Sequence, residues 1–303
     1  MSEHSNRSNL AETASLLGLV AGLTAFLIWG MSPVYWKELK HVDALEVILH
    51  RVVWSFFFLM PIIILRGRWK EFVRAVSNPK ILGMLVITAL FISANWFLYI
   101  WAVTHDHLLQ ASLGYYINPL VNVLLGMVFL RERFRRLQTM ALILAAGAVF
   151  YLTFFYGQFP WISLVLAFSF GFYGLIRKMI DVAPLIGLAV ETMLLSGPAV
   201  VYLIIRYQNH TGAFLVIDTR TDLFLLGASV LTTVPLLLFT FSAKRLRLST
   251  VGFIQYVGPT CMFLLGIFLY KEPFAMAQVI TFALIWGALA LYSLDSILFF
   301  RKR

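Results

Sequence analysis

Tyr115-Tyr116-Ile117-Asn118-Pro119-Leu120-Val121-Asn122-Val123-Leu124-Leu125-Gly126 returns 140 residues later as Gln255-Tyr256-Val257-Gly258-Pro259-Thr260-Cys261-Met262-Phe263-Leu264-Leu265-Gly266. Tyr116, Pro119, Leu124, Leu125 and Gly126 are matched. The register runs on through Glu132/Glu272, Phe134/Phe274, Gln138/Gln278, Leu144/Leu284, Gly147/Gly287 and Ala148/Ala288. Unrelated apolar helices share Leu and Ala by composition alone, but they do not place Tyr, Pro, Gly, Glu and Gln in step. The chain is a duplication.

Composition sets the solvent in which the duplicated unit folds. The 303 residues are 61% hydrophobic and only 13% charged, against about 25% charged in soluble domains. Such a chain cannot hide its apolar surface from water, so it is integral to a membrane. The formal charge of +10 does not indicate nucleic acid, because Lys and Arg lie in short stretches between apolar runs rather than on one face. Cys261 has no partner for an intrachain disulfide. The apolar run after the first fifteen polar residues is too long for a signal-peptide core and reads as an uncleaved first span.

Ten runs of about 20 apolar residues, each long enough to cross a hydrocarbon core of about 30 Å, are visible. Backbone groups in lipid must be satisfied within the segment, so the spans are helices. The fold class is therefore all-α integral membrane, ten transmembrane helices as two inverted five-helix repeats. Residues 1–15 form a cytoplasmic tail, 16–156 and 157–299 the two repeats, and 300–303 a basic cytoplasmic end.

Inversion follows from counting. Alternating spans place Arg7; Arg66, Arg68, Lys70, Arg74 and Lys80; Arg131, Arg133, Arg135 and Arg136; Arg177 and Lys178; Lys244, Arg245 and Arg247; and Arg301, Lys302 and Arg303 on one side. Only Lys37, Lys40, Arg206, Arg220 and Lys271 fall on the other, with Arg51 inside a span. The positive-inside rule then puts both termini in the cytoplasm. Five spans per unit is odd, so the second unit enters from the opposite side. Inverted repeats of this kind support alternating access, although channels contain them too. No Gly-x4-Gly-Lys-Ser/Thr phosphate loop marks an ATP-driven motor.

Polar groups at membrane depth are costly and therefore mark candidate sites. In the fourth span Tyr115, Asn118 and Asn122 share a helical face, beside Tyr116. Pro119 frees a backbone carbonyl near Tyr115, and Gln255, Tyr256, Gly258 and Pro259 offer the equivalent break, so Pro119, Gly258 and Pro259 are read as hinges. Asn95, Trp96 and Tyr99 form a polar and aromatic edge in the third span. These residues of spans three, four and nine are the expected substrate contacts.

In the second span Glu46 and His50 are one turn apart. Arg51 follows about 10 Å into the helix, and the aligned position in span seven carries Glu191. A structural Arg51–Glu191 pair is favoured, with a coupling carboxylate and a substrate clamp left open. His105-Asp106-His107 lacks an identifiable third ligand and reads as a solvated hairpin rather than a metal site.

Several segments together resemble the RarD-type permeases of the drug/metabolite transporter superfamily, with two EamA-like halves. They are His50-Arg51-Val52-Val53-Trp54-Ser55 to Phe58, Ala111 to Asn122 with its continuation to Arg136, Thr232-Thr233-Val234-Pro235, and Arg245 to Pro259. The resemblance implies ten helices, residence in a bacterial inner membrane and a central cavity for small organic solutes. It supplies no substrate. The family pattern commonly has Glu before Ala-Ser-Leu-Gly-Tyr, where this chain has Gln110, so proton coupling at that position is not carried over.

The expectation is thus a secondary permease for a small, amphipathic metabolite or drug. It has no catalytic residues, no cofactor, no metal and no nucleic-acid partner, and it leaves open the oligomeric state and whether a proton or sodium ion is coupled. The alternatives are a membrane enzyme acting on a lipid-linked substrate through His50, Glu46 or the 105–107 group, and a channel or regulatory scaffold.

Overall fold

A computed structural model describes residues 2–130, 135–155, 157–243, 245–246 and 254–301. Arg131, Glu132, Arg133 and Phe134 of the first repeat, Lys244 and Arg247 to Thr250 of the second, and the terminal Lys302 and Arg303 lie outside the described residues.

Eleven helices are described: α1 (Ser2–Glu38), α2 (Ala44–Leu65), α3 (Trp69–Ser77), α4 (Pro79–Thr104), α5 (Leu108–Leu130), α6 (Arg136–Phe150), α7 (Trp161–Met179), α8 (Pro184–Gln208), α9 (Thr219–Ala243), α10 (Val257–Leu264) and α11 (Met276–Arg301). π-helical turns extend α6 over Tyr151–Phe155 and α10 over Leu265–Leu269. No strand occurs among the described residues. Eight helices are long and apolar enough to cross a membrane, and Trp161–Arg177 and Val257–Leu269 are shorter apolar helices on the expected sixth and ninth spans. The all-helical membrane fold stands on these.

Local chemistry fixes the helix starts. Asp43 accepts from the amides of Leu45 and Glu46 to open α2, and Asn78 accepts from Lys80 and Ile81 to open α4, with Pro79 at its first position. Between Ser2 and Leu16 no Pro or Gly intervenes, so the polar tail continues helically into the first span. Large apolar side chains such as Ile143 at 67% and Phe268 at 74% face outward, the surface a lipid-solvated helix bundle presents.

α3 was not anticipated. It is a short amphipathic helix that buries Phe72 and Ala75, stacks Trp69 on Phe72, and turns Lys70 and Arg74 outward between two spans.

The duplication is visible in three dimensions. α2 and α8, α4 and α9, and α6 and α11 start 140 residues apart, even where the sequences share little. Packing obeys the same exchange. The pair α1·α10 corresponds to α7·α5, α1·α9 to α7·α4 and α2·α9 to α8·α4, while α2·α8, α5·α10 and α6·α11 map onto themselves. The halves are therefore interleaved rather than side by side. Within the halves the correspondence fails: α4 packs on α1, α2 and α5, and among the described residues α9 makes no contacts of similar extent with α7, α8 or α10.

Candidate functional site

The interior polar groups fall into three clusters. The first surrounds Arg51. Pairing of α2 with α9 brings Thr232 to it, and Arg51 Nε donates to Thr232 Oγ1 at 2.7 Å. Thr232 in turn donates to the Ala228 carbonyl at 2.9 Å. The guanidinium carbon lies 4.2 Å from the Trp96 ring centroid and 5.4 Å from that of Trp36, within cation–π range. Tyr99 and Tyr115 belong to the same core, edge to face at 5.7 Å, and the Tyr99 hydroxyl bonds Ser32 Oγ at 2.9 Å. Arg51 is only 6% exposed.

The second cluster lies where the repeat packs on itself. α5 and α10 cross at Ser112, Tyr116 and Pro259: Ser112 Oγ donates to the Pro259 carbonyl at 2.8 Å, and Tyr116 bonds Thr260 Oγ1 at 2.6 Å. The rings of Tyr116 and Tyr256 stack at 6.4 Å. Asn118 is buried and accepts from Asn122 Nδ2 at 3.0 Å, while Asn122 is exposed. Gln255 is half-buried at the foot of α10.

The third cluster holds Glu191. Its Oε1 accepts from Thr88 Oγ1 at 2.7 Å and lies 3.8 Å from Arg177 Nε, and its Oε2 accepts from the Tyr173 hydroxyl at 3.4 Å.

These contacts correct the favoured pairing. Arg51 and Glu191 do not form an ion pair; each is held within its own cluster. The 140-residue register aligns a residue with its counterpart in the other unit, and counterparts at opposite depths need not touch. The expected substrate contacts also divide. Trp96, Tyr99 and Tyr115 gather around Arg51, whereas Tyr116 and Tyr256 meet at the α5·α10 crossing; Asn118 and Asn122 bond each other on α5, with Asn122 facing Gly171 of α7, and Gln255 lies half-buried just before α10. Asn95 joins neither. Its Nδ2 donates to the Leu166 carbonyl and to Ser169 Oγ, both at 2.9 Å, tying α4 to α7. Trp36, Ser32, Thr88, Tyr173 and Arg177 were missed because their partners lie on other helices. Thr232 entered only as part of the Thr232-Thr233-Val234-Pro235 segment of the resemblance.

His50 and Glu46 serve the connection between α8 and α9. Glu46 Oε1 accepts from the Ala213 amide at 2.5 Å and Oε2 from Arg206 at 3.3 Å. His50 Nε2 lies 4.0 Å from Glu46, and its Nδ1 accepts from Trp54 Nε1 at 3.2 Å. His105 and His107 stack on Trp101 at 4.8 and 5.4 Å, and Asp106 pairs with Lys37. No group of three metal-ligating side chains occurs among the described residues.

Near the same loops, a cleft of about 540 Å³ is lined by Lys37, Glu38, His41, Asp106, Arg220 and Tyr270 among others. Arg220 pairs with Glu38 at 2.6 Å beside it. Glu272 closes the neighbouring helix end, accepting from the amides of Leu108 and Leu109 at 2.8 and 3.0 Å.

The sequence profile of the EamA-like transporter family matches this chain twice, over residues 16–154 and 160–294. The chain belongs to the EamA-like transporter family. Protein RarD of Salmonella typhi is 46% identical over 286 residues, covering 94% of this chain and 97% of that protein. An uncharacterized transporter of Vibrio cholerae is 46% identical over 280 residues, covering 92% of this chain and 93% of that protein. A chloramphenicol-sensitive protein RarD of Pseudomonas aeruginosa is 29% identical over 290 residues, covering 94% of this chain and 96% of that protein. A crystal structure 19% identical in sequence superposes with a TM-score of 0.60 over 91% of this chain and 97% of its own, a likeness of fold alone. Among EamA-like proteins the resemblance to RarD-type permeases holds, and membership makes the chain a multi-pass membrane protein of a transporter family.

Proposed function

We propose that the chain is a secondary transporter, not an enzyme, that moves a small amphipathic organic solute across a bacterial inner membrane by alternating access, with both termini in the cytoplasm. What carries this reading is the relation between the units. Their mutual packing is exchangeable, but α4 packs on its own half while, among the described residues, α9 makes no contacts of similar extent with its own. Two halves of one design in unlike conformations are what a protein closed toward one side and open toward the other would contain, and swapping the two conformations would reverse the access. The repeat boundaries at 156 and 157 belong to the same proposal, as do hinge roles for Pro119, Gly258 and Pro259.

The solute path is assigned to the interface of the halves, with Trp96, Tyr99 and Tyr115 as its aromatic contacts and Asn118, Asn122 and Gln255 as polar contacts farther along. The enzyme alternative gains nothing from Glu46, which holds the Ala213 amide of the connection after α8, or from His50, whose ring packs on Phe214 of the same connection.

The test is transport in proteoliposomes of the purified protein against a panel of metabolites, chosen by comparing a deletion strain with an overproducing one. A saturable flux that shows counterflow supports the carrier. A flux that rises linearly with concentration and shows no counterflow overturns it in favour of a channel.

A further inference from the structure

Arg51 is a charge at membrane depth that the described residues leave unbalanced. Its Nε is committed to Thr232, but Nη1 and Nη2 have no hydrogen-bond or ion-pair partner among the described residues. The carboxylates that could have answered it are engaged elsewhere: Glu46 with Arg206 and the Ala213 amide, Glu191 with Arg177 and Thr88, Glu272 with two amides. Trp36 and Trp96 lend their π faces, which compensate part of the lost hydration of a cation and supply no negative charge. A buried cation without a counter-ion is costly, and the cost is relieved when an anion arrives.

We propose that the transported solute carries an oxyanion, a carboxylate in the first instance, on a small flat apolar body, and that Arg51 is its anchor. This rests on the transporter reading above. The guanidinium offers two parallel N–H donors along the Nη1–Nη2 edge, a geometry that matches a carboxylate and that an ammonium lacks. The Thr232 bond fixes the plane of the fork. Trp96, Trp36 and Tyr99 wall the same core and provide apolar faces for the body of the solute. The Tyr115 hydroxyl, without a hydrogen-bond partner among the described residues, is a second donor in that core. Inorganic anions would gain from the charge and nothing from the rings, so the organic class is the one selected.

The experiment uses the purified full-length protein in detergent and compares benzoate and indole-3-acetate with benzamide, indole-3-acetamide and chloride, by thermal shift and isothermal titration. The acids are expected to bind saturably and their amides at least about tenfold more weakly. Arg51→Gln should erase the preference for acids, and Arg51→Lys should weaken it without erasing it. Equal binding of acids and amides, absence of binding by either acid, binding of chloride at the same strength, or an acid preference retained in Arg51→Gln each overturns the proposal. The contrast between acid and amide is measured in the unaltered protein, so a misfolded variant does not decide the outcome. If vesicles of the unaltered protein carry an uncharged solute, and Arg51→Gln carries it equally well, the anion site falls and the transporter stands. If no solute moves at all, the transporter reading falls with it.

Discussion

Glu272 shows how one side chain can set a helix end at the rim of a membrane. The first amides of α5 have no partner within the helix, and the buried Glu272 carboxylate takes those of Leu108 and Leu109 from a connection 163 and 164 residues away. Glu272→Ala removes both bonds and leaves two inward-facing donors unsatisfied, which should cost about 1–2 kcal/mol. Glu272→Gln keeps an acceptor and should cost less, so the melting temperature in detergent should fall in the order Gln then Ala; the reverse order would deny the cap. Burial lifts the Glu272 carboxyl above its usual range, although the two amides hold it down. A carboxyl raised on folding favours the protonated form, so it withdraws stability as pH rises from the ordinary carboxylate value through the raised one. A plot of melting temperature against pH should therefore flatten over that interval in Glu272→Gln.

At the scale of helices, two corresponding crossings are each closed by a glycine, although not at matched positions. A Cβ on Gly30 of α1 would stand 2.8 Å from the Gly258 carbonyl oxygen of α10, and one on Gly114 of α5 would stand 2.8 Å from the Ser163 carbonyl oxygen of α7. These crossings, α1·α10 and α5·α7, exchange with each other between the units, and both admit bare backbone where a methyl would not fit. Gly30→Ala and Gly114→Ala should each destabilise by about 1–3 kcal/mol through overpacking. Gly83→Ala in α4, with nothing within 4 Å of its Cβ, should be neutral or slightly stabilising. Thermal unfolding of the three variants in one detergent checks this, and similar losses at all three would mean that the crossings tolerate separation.

The elements themselves were largely legible. Apolar length marked the spans, and the Tyr116/Tyr256 register marked the duplication, because lipid forces each span to be long, apolar and helical. α3 escaped because nine residues with one buried edge look like any charged connection. The candidate site was legible as residue types but not as neighbourhoods. Trp96 and Tyr115 were picked out for their depth, yet their gathering around Arg51 depends on which helices adjoin α2. The same ignorance of neighbours produced the Arg51–Glu191 pairing.

For the whole molecule, the proposed alternating access requires the ends of the helices to part. Lys37 at the end of α1 is paired with Asp106 after α4, and Arg220 with Glu38 across α9 and α1. In a Cys261→Ala background, cysteines at positions 37 and 106 joined by a short bifunctional reagent should abolish solute flux, and a reducible reagent should restore it on cleavage. Full transport by the joined protein would mean that these ends never separate. Topology is testable independently: a fluorescent protein fused after Arg303 should fluoresce and an alkaline phosphatase fused there should stay inactive, while the opposite result places the carboxyl end outside.

Cys261 sits in the α1·α10 crossing. A methyl on Gly30 would lie 2.7 Å from its Cβ, and it is the single cysteine of the chain. The sulfur's neighbours must change whenever these two helices slide or part. The rate at which a small maleimide alkylates the unaltered protein is therefore a native clock for that motion, one that a bound solute should slow or quicken, read by mass spectrometry without any engineered residue.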